Sequence, residues 1–502
     1  MEELLGHMVY GFSIALAPVN VGYALLGALV GTLIGVLPGI GPVSGIAILI
    51  PVLYGMPPAS AMILLTGLYY GTMYGGSTTS ILVNVPGEAS SVVTTLDGYQ
   101  MALQGRGGPA LAIAAIGSFI AGTISVVFMM LFSLPLARLA LKFGPAEYFS
   151  LMVLGLSSVT SLAGASLTKA LISTVFGLML ATVGVDLSTG TARYTFGVPE
   201  LLDGVSFIVA AIGLFAISEV LLAIEETHAG SRQRALKVGR IWISWREFKE
   251  SLGAILRGTG IGFYIGVLPA AGATIASFMA YNVEKRLAKD PDALGKGDIR
   301  GVAAPESANN AAVVGNMVPL LSLGIPGSST TALMLGALMM LGVQPGPLLF
   351  QKHPDVTWGL IASMYVSNTM LLILNLPLVG LWVRILDIPE RFLYPLILGI
   401  SVIGIYGVSN SLLDLYLGIG FGVIGYYMRK HDYPLATAVL GLVLGGIMEQ
   451  SLRQALILSD GSYWTLVERP LSLVLLILSA FSLAAPYLLS AYRRLRLAAP
   501  AA

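Results

Sequence analysis

The sequence predicts an all-α polytopic membrane protein made of two homologous halves, arranged as inverted-topology repeats with broken or re-entrant helices. Three observations carry that prediction. The 502 residues are 56% hydrophobic and only 11% charged, with a mean hydropathy of +0.84, whereas an ordinary soluble domain is about 25% charged. Residues 4–87 contain no Asp, Glu, Lys or Arg, and neither do residues 307–351, so each stretch far exceeds the roughly 20 residues one span requires. Helix-breaking residues also recur in matched order. Gly35-Val36-Leu37-Pro38-Gly39-Ile40-Gly41 returns as Gly266-Val267-Leu268-Pro269-Ala270-Ala271-Gly272, and Asn84-Val85-Pro86-Gly87-Glu88-Ala89-Ser90-Ser91 as Gly324-Ile325-Pro326-Gly327-Ser328-Ser329-Thr330-Thr331. Duplicated, interrupted apolar segments point to a transporter's binding site.

The likeness continues past these motifs. Ser133-Leu134-Pro135-Leu136 resembles Asn375-Leu376-Pro377-Leu378, Val153-Leu154-Gly155-Leu156 resembles Ile397-Leu398-Gly399-Ile400, and Phe176-Gly177 matches Phe421-Gly422. The offset drifts only from 231 to 245 positions, as a unit duplicated and lightly edited would show. The chain divides into an N-terminal segment 1–19, a first membrane repeat 20–225, a basic linker 226–252, a second membrane repeat 253–450, and a C-terminal part 451–502 with a loop, an extra transmembrane helix and a basic tail.

Lys and Arg set the orientation, because they accumulate on the cytoplasmic side. The linker holds Arg232, Arg234, Lys237, Arg240, Arg246 and Lys249, and the tail holds Arg493, Arg494 and Arg496, so both are expected inside, with the C-terminus cytoplasmic. One crossing by the last helix then places 450–469 outside and inverts the halves. Both flanks of 253–282 read as cytoplasmic, so that segment should enter and return as a re-entrant hairpin or two short spans, and its copy in the first half from the opposite face.

Proline removes a backbone donor and glycine tolerates unusual angles. A helix that starts after such a break points N–H groups and a positive dipole end at whatever lies there, which favours carboxylates. An anion site of amides and hydroxyls also avoids an Arg at mid-membrane, which costs roughly 2.5–3.5 kcal/mol on insertion scales. The candidate substrate-binding residues are therefore Pro38, Gly39, Gly41, Asn84, Pro86, Gly87, Ser90, Ser91, Pro269, Gly272, Asn309, Asn310, Pro326, Gly327, Ser328, Ser329, Thr330 and Thr331. Glu88, Asp97 and Glu306 are candidates for cation coupling, with Glu306, Asn309 and Asn310 on roughly one helical face; which oxygens would hold sodium is not readable. The plainer reading of a Gly-x-x-x-Gly spacing such as Gly31 and Gly35 is close helix packing. The plainer reading of each carboxylate is a loop or boundary group.

Other classes find little support. His7, His228, His353 and His431 are scattered, and the sequence has no His-Glu-x-x-His pair, no Gly-x-Ser-x-Gly elbow and no phosphate-binding Gly-x-x-x-x-Gly-Lys loop, so no enzyme and no cofactor are expected. There is no cysteine, which excludes disulfides and thiolate metal sites. A net charge of +1 gives no reason to expect nucleic acid. The start Met-Glu-Glu carries no basic n-region of a cleavable signal.

Val36-Leu37-Pro38-Gly39-Ile40-Gly41-Pro42, Tyr74-Gly75-Gly76-Ser77-Thr78-Thr79-Ser80, Pro86-Gly87-Glu88-Ala89-Ser90-Ser91 and Leu96-Asp97-Gly98-Tyr99-Gln100-Met101-Ala102 resemble the large permease subunit, the TctA type, of tripartite tricarboxylate transporters. So do Ala304-Pro305-Glu306-Ser307-Ala308-Asn309-Asn310-Ala311-Ala312, Leu323 to Ala332, and Pro345-Gly346-Pro347-Leu348-Leu349-Phe350. The likeness runs from about residue 20 to 475. It implies secondary active uptake of a carboxylate, such as citrate or a related organic acid, across a bacterial inner membrane. It also implies a small membrane subunit of about four helices, a periplasmic solute-binding protein, and coupling to sodium or to protons. A homodimer is compatible with it. A passive anion channel and a membrane scaffold subunit are the alternatives, the first disfavoured because polarity gathers at two breaks and not along a continuous lining.

Overall fold

The computed structural model describes residues 2–37, 40–162, 166–186, 189–226, 236, 238–268, 272–385 and 390–498. Most of it is helix, and among the described residues five helices are long and apolar enough to cross a membrane: Pro18–Val36, Gly107–Leu139, Phe207–Glu225, Pro354–Asn375 and Leu435–Leu458. The chain forms two compact units, residues 1–140 with 215–410 and residues 141–214 with 411–502. Each unit takes chain from both sequence halves.

In the larger unit two helices are sheathed on all sides by protein. Every residue from Ala59 to Leu82 in the helix Pro58–Leu82 is buried, and so is every residue from Gly301 to Ser322 in the helix Arg300–Leu323. Their composition requires this, since Ser77, Thr78, Thr79 and Ser80 on one, and Glu306, Asn309, Asn310 and Asn316 on the other, would be costly against lipid. Each packs along a glycine-rich neighbour, Pro18–Val36 and Trp245–Val267 respectively.

The two pairings share one register. A Cβ at Gly27, Gly31 or Gly35 would lie 2.2–2.3 Å from the carbonyl oxygens of Leu64, Leu68 and Thr72; at Gly258, Gly262 or Gly266 it would lie 2.3–2.5 Å from those of Ala304, Ala308 and Ala312. Gly75 meets Gly35 across the first seam and Gly315 meets Gly266 across the second. Backbones this close leave no room for a side chain, so Gly31 and Gly35 are packing residues.

The breaks match as well. Pro18–Val36 ends at Leu37, whose N–H reaches Ile34 O, and the chain re-enters a helix at Gly41 with φ +61°. Trp245–Val267 ends at Leu268, whose N–H reaches Ile265 O, and the next helix, Gly272–Leu287, starts at φ +64°. Pro58–Leu82 stops at Asn84 (φ +59°) and Arg300–Leu323 at Gly324 (φ +73°). These left-handed residues turn the chain out of the helix.

The smaller unit holds the helices Pro145–Leu162, Leu167–Ala181, Leu412–Lys430, Leu435–Leu458 and Pro470–Ala498. Gly177 and Gly441 bring Leu167–Ala181 against Leu435–Leu458. A two-stranded ribbon, Gly184–Val185 with Ala192–Arg193, is fastened by Arg193 on Glu449 (2.7 Å) and Arg453 on Asp186 (2.7 Å). Large apolar side chains such as Val175, Met179, Ile477 and Phe481 are exposed, as lipid-facing positions are.

The glycine seams generate a test within single helices. A Cβ added at Gly22 or Gly260 would meet no atom within 4 Å, so Gly22→Ala and Gly260→Ala should leave thermal stability unchanged or slightly raised. Gly31→Val and Gly262→Val should each lower it by at least the about 1–3 kcal/mol of an overpacked core, read as a lower melting midpoint or loss of monodisperse protein in detergent.

Candidate functional site

Both Pro-Gly motifs end in the same local structure. Glu88 (φ −153°, ψ 166°) and Ser328 (φ −156°, ψ 169°) are N-caps of capping boxes. Ser328 Oγ accepts from Thr331 N at 3.3 Å while Thr331 Oγ1 accepts from Ser328 N at 2.8 Å. In the first motif the Glu88 carboxylate accepts from Ser90 N at 3.1 Å and from the Ser90 hydroxyl, and Ser91 Oγ accepts from Glu88 N at 3.4 Å. A side chain three residues on thus satisfies the cap's own N–H. The helices so capped are Ser329–Met340 and, after the short turn Ala89–Ser91, Val92–Leu103.

The caps are tethered across the halves. Tyr69 Oη lies 3.2 Å from Ser328 Oγ, and Asn316 Nδ2 donates to the same phenol oxygen at 3.1 Å. Reciprocally, Asn309 Nδ2 donates to Glu88 Oε1 at 3.2 Å. One offset, 240 positions, relates Tyr69 to Asn309 and Glu88 to Ser328, so equivalent positions of the two central helices each hold the other half's cap. Packing is exchanged in the same way: Gly41–Leu49 lies on Ser329–Met340, and Gly272–Leu287 lies on Ala89–Ser91 and Val92–Leu103.

Glycine brings each motif loop onto backbone. A Cβ on Gly87 would lie 2.1 Å from Gly35 O and 2.6 Å from Gly76 Cα; on Gly327 it would lie 2.7 Å from Asn316 Oδ1 and 2.9 Å from Asn316 Cα. Pro86 is half-buried and Pro326 buried, Asn84 is exposed, and Ser90, Ser91, Thr330 and Thr331 are buried. The Ser329 hydroxyl, half-buried beside the cap, has no hydrogen bond among the described residues. Gly41 and Gly272 start the helices that cover the opposite motif. Pro38, Gly39 and Pro269 lie outside the described residues.

The three acidic candidates have different surroundings. Glu306, 1% exposed, meets only hydroxyls through its carboxylate: Ser77 donates to Oε2 at 2.6 Å, and Thr94 donates to Oε1. Asn310 faces away from the caps, donating to Ser118 Oγ at 2.7 Å and to Glu306 O at 3.2 Å. Asp97 fastens a loop: it accepts from the N–H groups of Gly295, Gly297 and Asp298 at 2.8–2.9 Å and from Tyr281 Oη at 2.9 Å. In that loop, burial would raise the Asp298 carboxyl, but hydrogen bonds and charge from Arg300 outweigh it and hold the group below the ordinary carboxylate range.

Among the described residues, four polar atoms of the Arg300–Leu323 helix are buried without a partner: Ser307 Oγ and the amide oxygens of Asn309, Asn310 and Asn316. Such atoms are rare in finished interiors and mark places where a donor or a cation would be welcome. Together the paired caps, the free Ser329 hydroxyl and these oxygens make a polar seam inside an apolar unit. Tyr69, Ser77, Thr94, Ser118 and Asn316 belong to that seam and were not among the sequence candidates. Asn316 had a signal, since it sits two helical turns beyond Asn309.

Spanning helices around a seam of interrupted, mutually tethered helices define a polytopic membrane transporter component. The sequence profile of the Tripartite tricarboxylate transporter TctA family matches residues 21–440. The chain belongs to that family. It is 46% identical over 477 residues, 95% of both chains, to a protein of Agrobacterium vitis described as an uncharacterized 52.8 kDa protein in the TAR-I ttuC' 3' region. It is also 46% identical over 215 residues, 43% of this chain and 89% of the relative, to an uncharacterized protein in the TAR-II ttuC' 3' region of the same organism. No solved structure matches the chain.

The Asp97 geometry is testable by hydrogen exchange. Asp97→Asn replaces one acceptor oxygen with an amide donor that faces N–H groups, so the amides of Gly295, Gly297 and Asp298 should exchange at least about tenfold faster, the equivalent of about 1.4 kcal/mol, while those of the Pro58–Leu82 helix keep wild-type protection.

Proposed function

We propose that this chain is the permease subunit of a binding-protein-dependent secondary transporter that imports a carboxylate by alternating access. The observation that carries the reading is the reciprocal tethering of two equivalent caps, Tyr69 to Ser328 and Asn309 to Glu88. A carrier needs one site that two equivalent structural elements approach from opposite sides, and paired broken helices provide it. On this reading the halves are inverted in the membrane, with the basic linker and the C-terminus cytoplasmic. On the same reading the carboxylate is held by peptide N–H groups at the starts of the helix at Ser329 and of the turn at Ala89, and by the Ser329, Thr330 and Ser90 hydroxyls.

The cap chemistry distinguishes the two sides of such a site. Ser328 presents a neutral hydroxyl, whereas Glu88 presents a carboxylate at the equivalent place, which an anion would avoid unless a cation or a proton accompanied it. Coupling to a sodium or proton gradient follows naturally from that asymmetry. A periplasmic solute-binding protein would deliver the substrate, a small four-helix membrane subunit would complete the complex, and the membrane would be the bacterial inner membrane.

Reconstitution tests this directly. In proteoliposomes containing the chain and its small membrane subunit, supplied with binding protein, a panel of labelled di- and tricarboxylates should show saturable uptake of at least one member, accelerated by an inward sodium or proton gradient. Ser329→Ala, which removes a hydroxyl donor to the charged ligand, and Tyr69→Phe, which releases the Ser328 cap, should each lower uptake at least about tenfold at wild-type expression. Flux that rises linearly with concentration and ignores both gradients would establish a pore instead, and near-normal uptake by both variants would remove the second motif from the site.

A further inference from the structure

The segment Tyr74 to Ser80 stands out in the sequence, and among the described residues its side-chain hydrogen bond to the caps is that of Ser80, which donates to Ser91. Its other polar groups face a different feature. Tyr74, Ser77 and Thr78 line a cavity of about 10 Å³ together with Ser118 and Asn375, and three apolar residues of the Gly107–Ala140 helix close the remaining wall. That volume accommodates a single particle of the size of a water molecule.

The lining is rich in oxygens, and the hydroxyl hydrogens of Tyr74, Ser77 and Ser118 are engaged elsewhere. Tyr74 Oη donates to Asn368 Oδ1 at 2.7 Å, and Ser77 Oγ donates to Glu306 at 2.6 Å. Ser118 Oγ accepts from Asn310 at 2.7 Å and donates to the Glu306 carbonyl at 3.4 Å. Asn375 Nδ2 donates to Leu371 O at 3.0 Å, while its Oδ1 has no partner although the residue is only 5% exposed. Thr78 Oγ1 has no hydrogen bond among the described residues.

We propose that this cavity binds one dehydrated sodium ion through the oxygens of Tyr74, Ser77, Thr78, Ser118 and Asn375, with the Glu306 carboxylate as its counter-charge across Ser77. A small hard cation takes oxygen ligands, and a divalent ion would call for several carboxylates; among the described residues no group of three His, Cys, Asp or Glu exists. Glu306 has a matching need. No Lys, Arg or His reaches its carboxylate among the described residues, and a buried charge without a partner is strongly unfavourable. A monovalent cation one hydroxyl away answers both conditions.

The location also explains how such an ion would act. Tyr74, Ser77 and Thr78 share a helix with Tyr69, which holds the Ser328 cap, and Glu306 shares a helix with Asn309, which holds the Glu88 cap. An ion here biases both central helices at once. This role in coupling rests on the carrier reading above; the binding itself does not.

The experiment measures sodium alone, without substrate. Purified full-length chain in detergent is titrated with sodium chloride against choline chloride and potassium chloride at constant ionic strength, following thermal unfolding and binding of radiolabelled sodium. Saturable binding of one sodium per chain is expected, with a rise in melting temperature that choline and potassium do not reproduce. Thr78→Val, Asn375→Leu and Glu306→Gln should each weaken sodium binding by about tenfold or more, the loss typical for partners of a bound cation. Equal stabilisation by choline, or sodium affinities unchanged in Thr78→Val and Asn375→Leu, would overturn the proposal and leave the cavity to water. Should the variants fail to fold, the wild-type titration decides: no sodium-specific saturation means no site. Sodium binding without uptake would count against the carrier reading alone.

Discussion

The contact on which the larger unit depends is backbone against backbone. Inside a bilayer every peptide group freed by a broken helix must find a partner within the protein, and a partner is near only if helices approach closely. Glycine makes that approach possible at Gly27, Gly31 and Gly35 in one half and at Gly258, Gly262 and Gly266 in the other. Because the two seams share a register, they deliver Tyr69 and Asn309 to equivalent heights. From there the two caps can be reached. Larger residues in the seams would separate the helices and leave the motifs without their tethers.

The polar groups are arranged by the same economy. No Lys, Arg or His takes part in the hydrogen bonds that join the two caps, which are made by hydroxyls, amides, a phenol and a carboxylate. On the proposed carrier reading, neutral donors would hold an anion less firmly than a guanidinium and so allow its release. The cost of this choice appears in the partnerless oxygens of Asn309, Asn310 and Asn316 and in Glu306 among hydroxyls. Buried polar groups of this kind lower the stability of the chain.

How much of this was legible in the sequence depends on how far each signal reaches along the chain. Asn84 and Gly324 stop helices, and Glu88 and Ser328 cap them, through atoms a few residues away; Pro, Gly and hydroxyl residues advertise such local geometry. The spacing of Gly31 and Gly35 left packing as the plainer of two readings, and their approach to Leu68 and Thr72 on another helix is what assigns them to it. Tyr69 was not, because an isolated tyrosine in an apolar helix acquires meaning only from Ser328, more than 250 positions on. Asp97 illustrates the converse. It stands beside a motif and so read equally as a cation ligand or a loop carboxylate, and the amides near residue 297 that it accepts from are connected to it by no spacing rule. The inverted orientation rests on few charges, and the matched registers describe the repeat without reference to a membrane.

Reciprocal tethering also constrains how the polypeptide is made. When the ribosome has completed the first 140 residues, Glu88 still lacks Asn309, and the Pro58–Leu82 helix lacks the Arg300–Leu323 helix that faces it at Glu306. Ser77, which has only the carbonyl of Met73, and Thr94 then lack their Glu306 acceptor during insertion. The early product is therefore a half-finished surface that needs shelter until synthesis has reached Asn309.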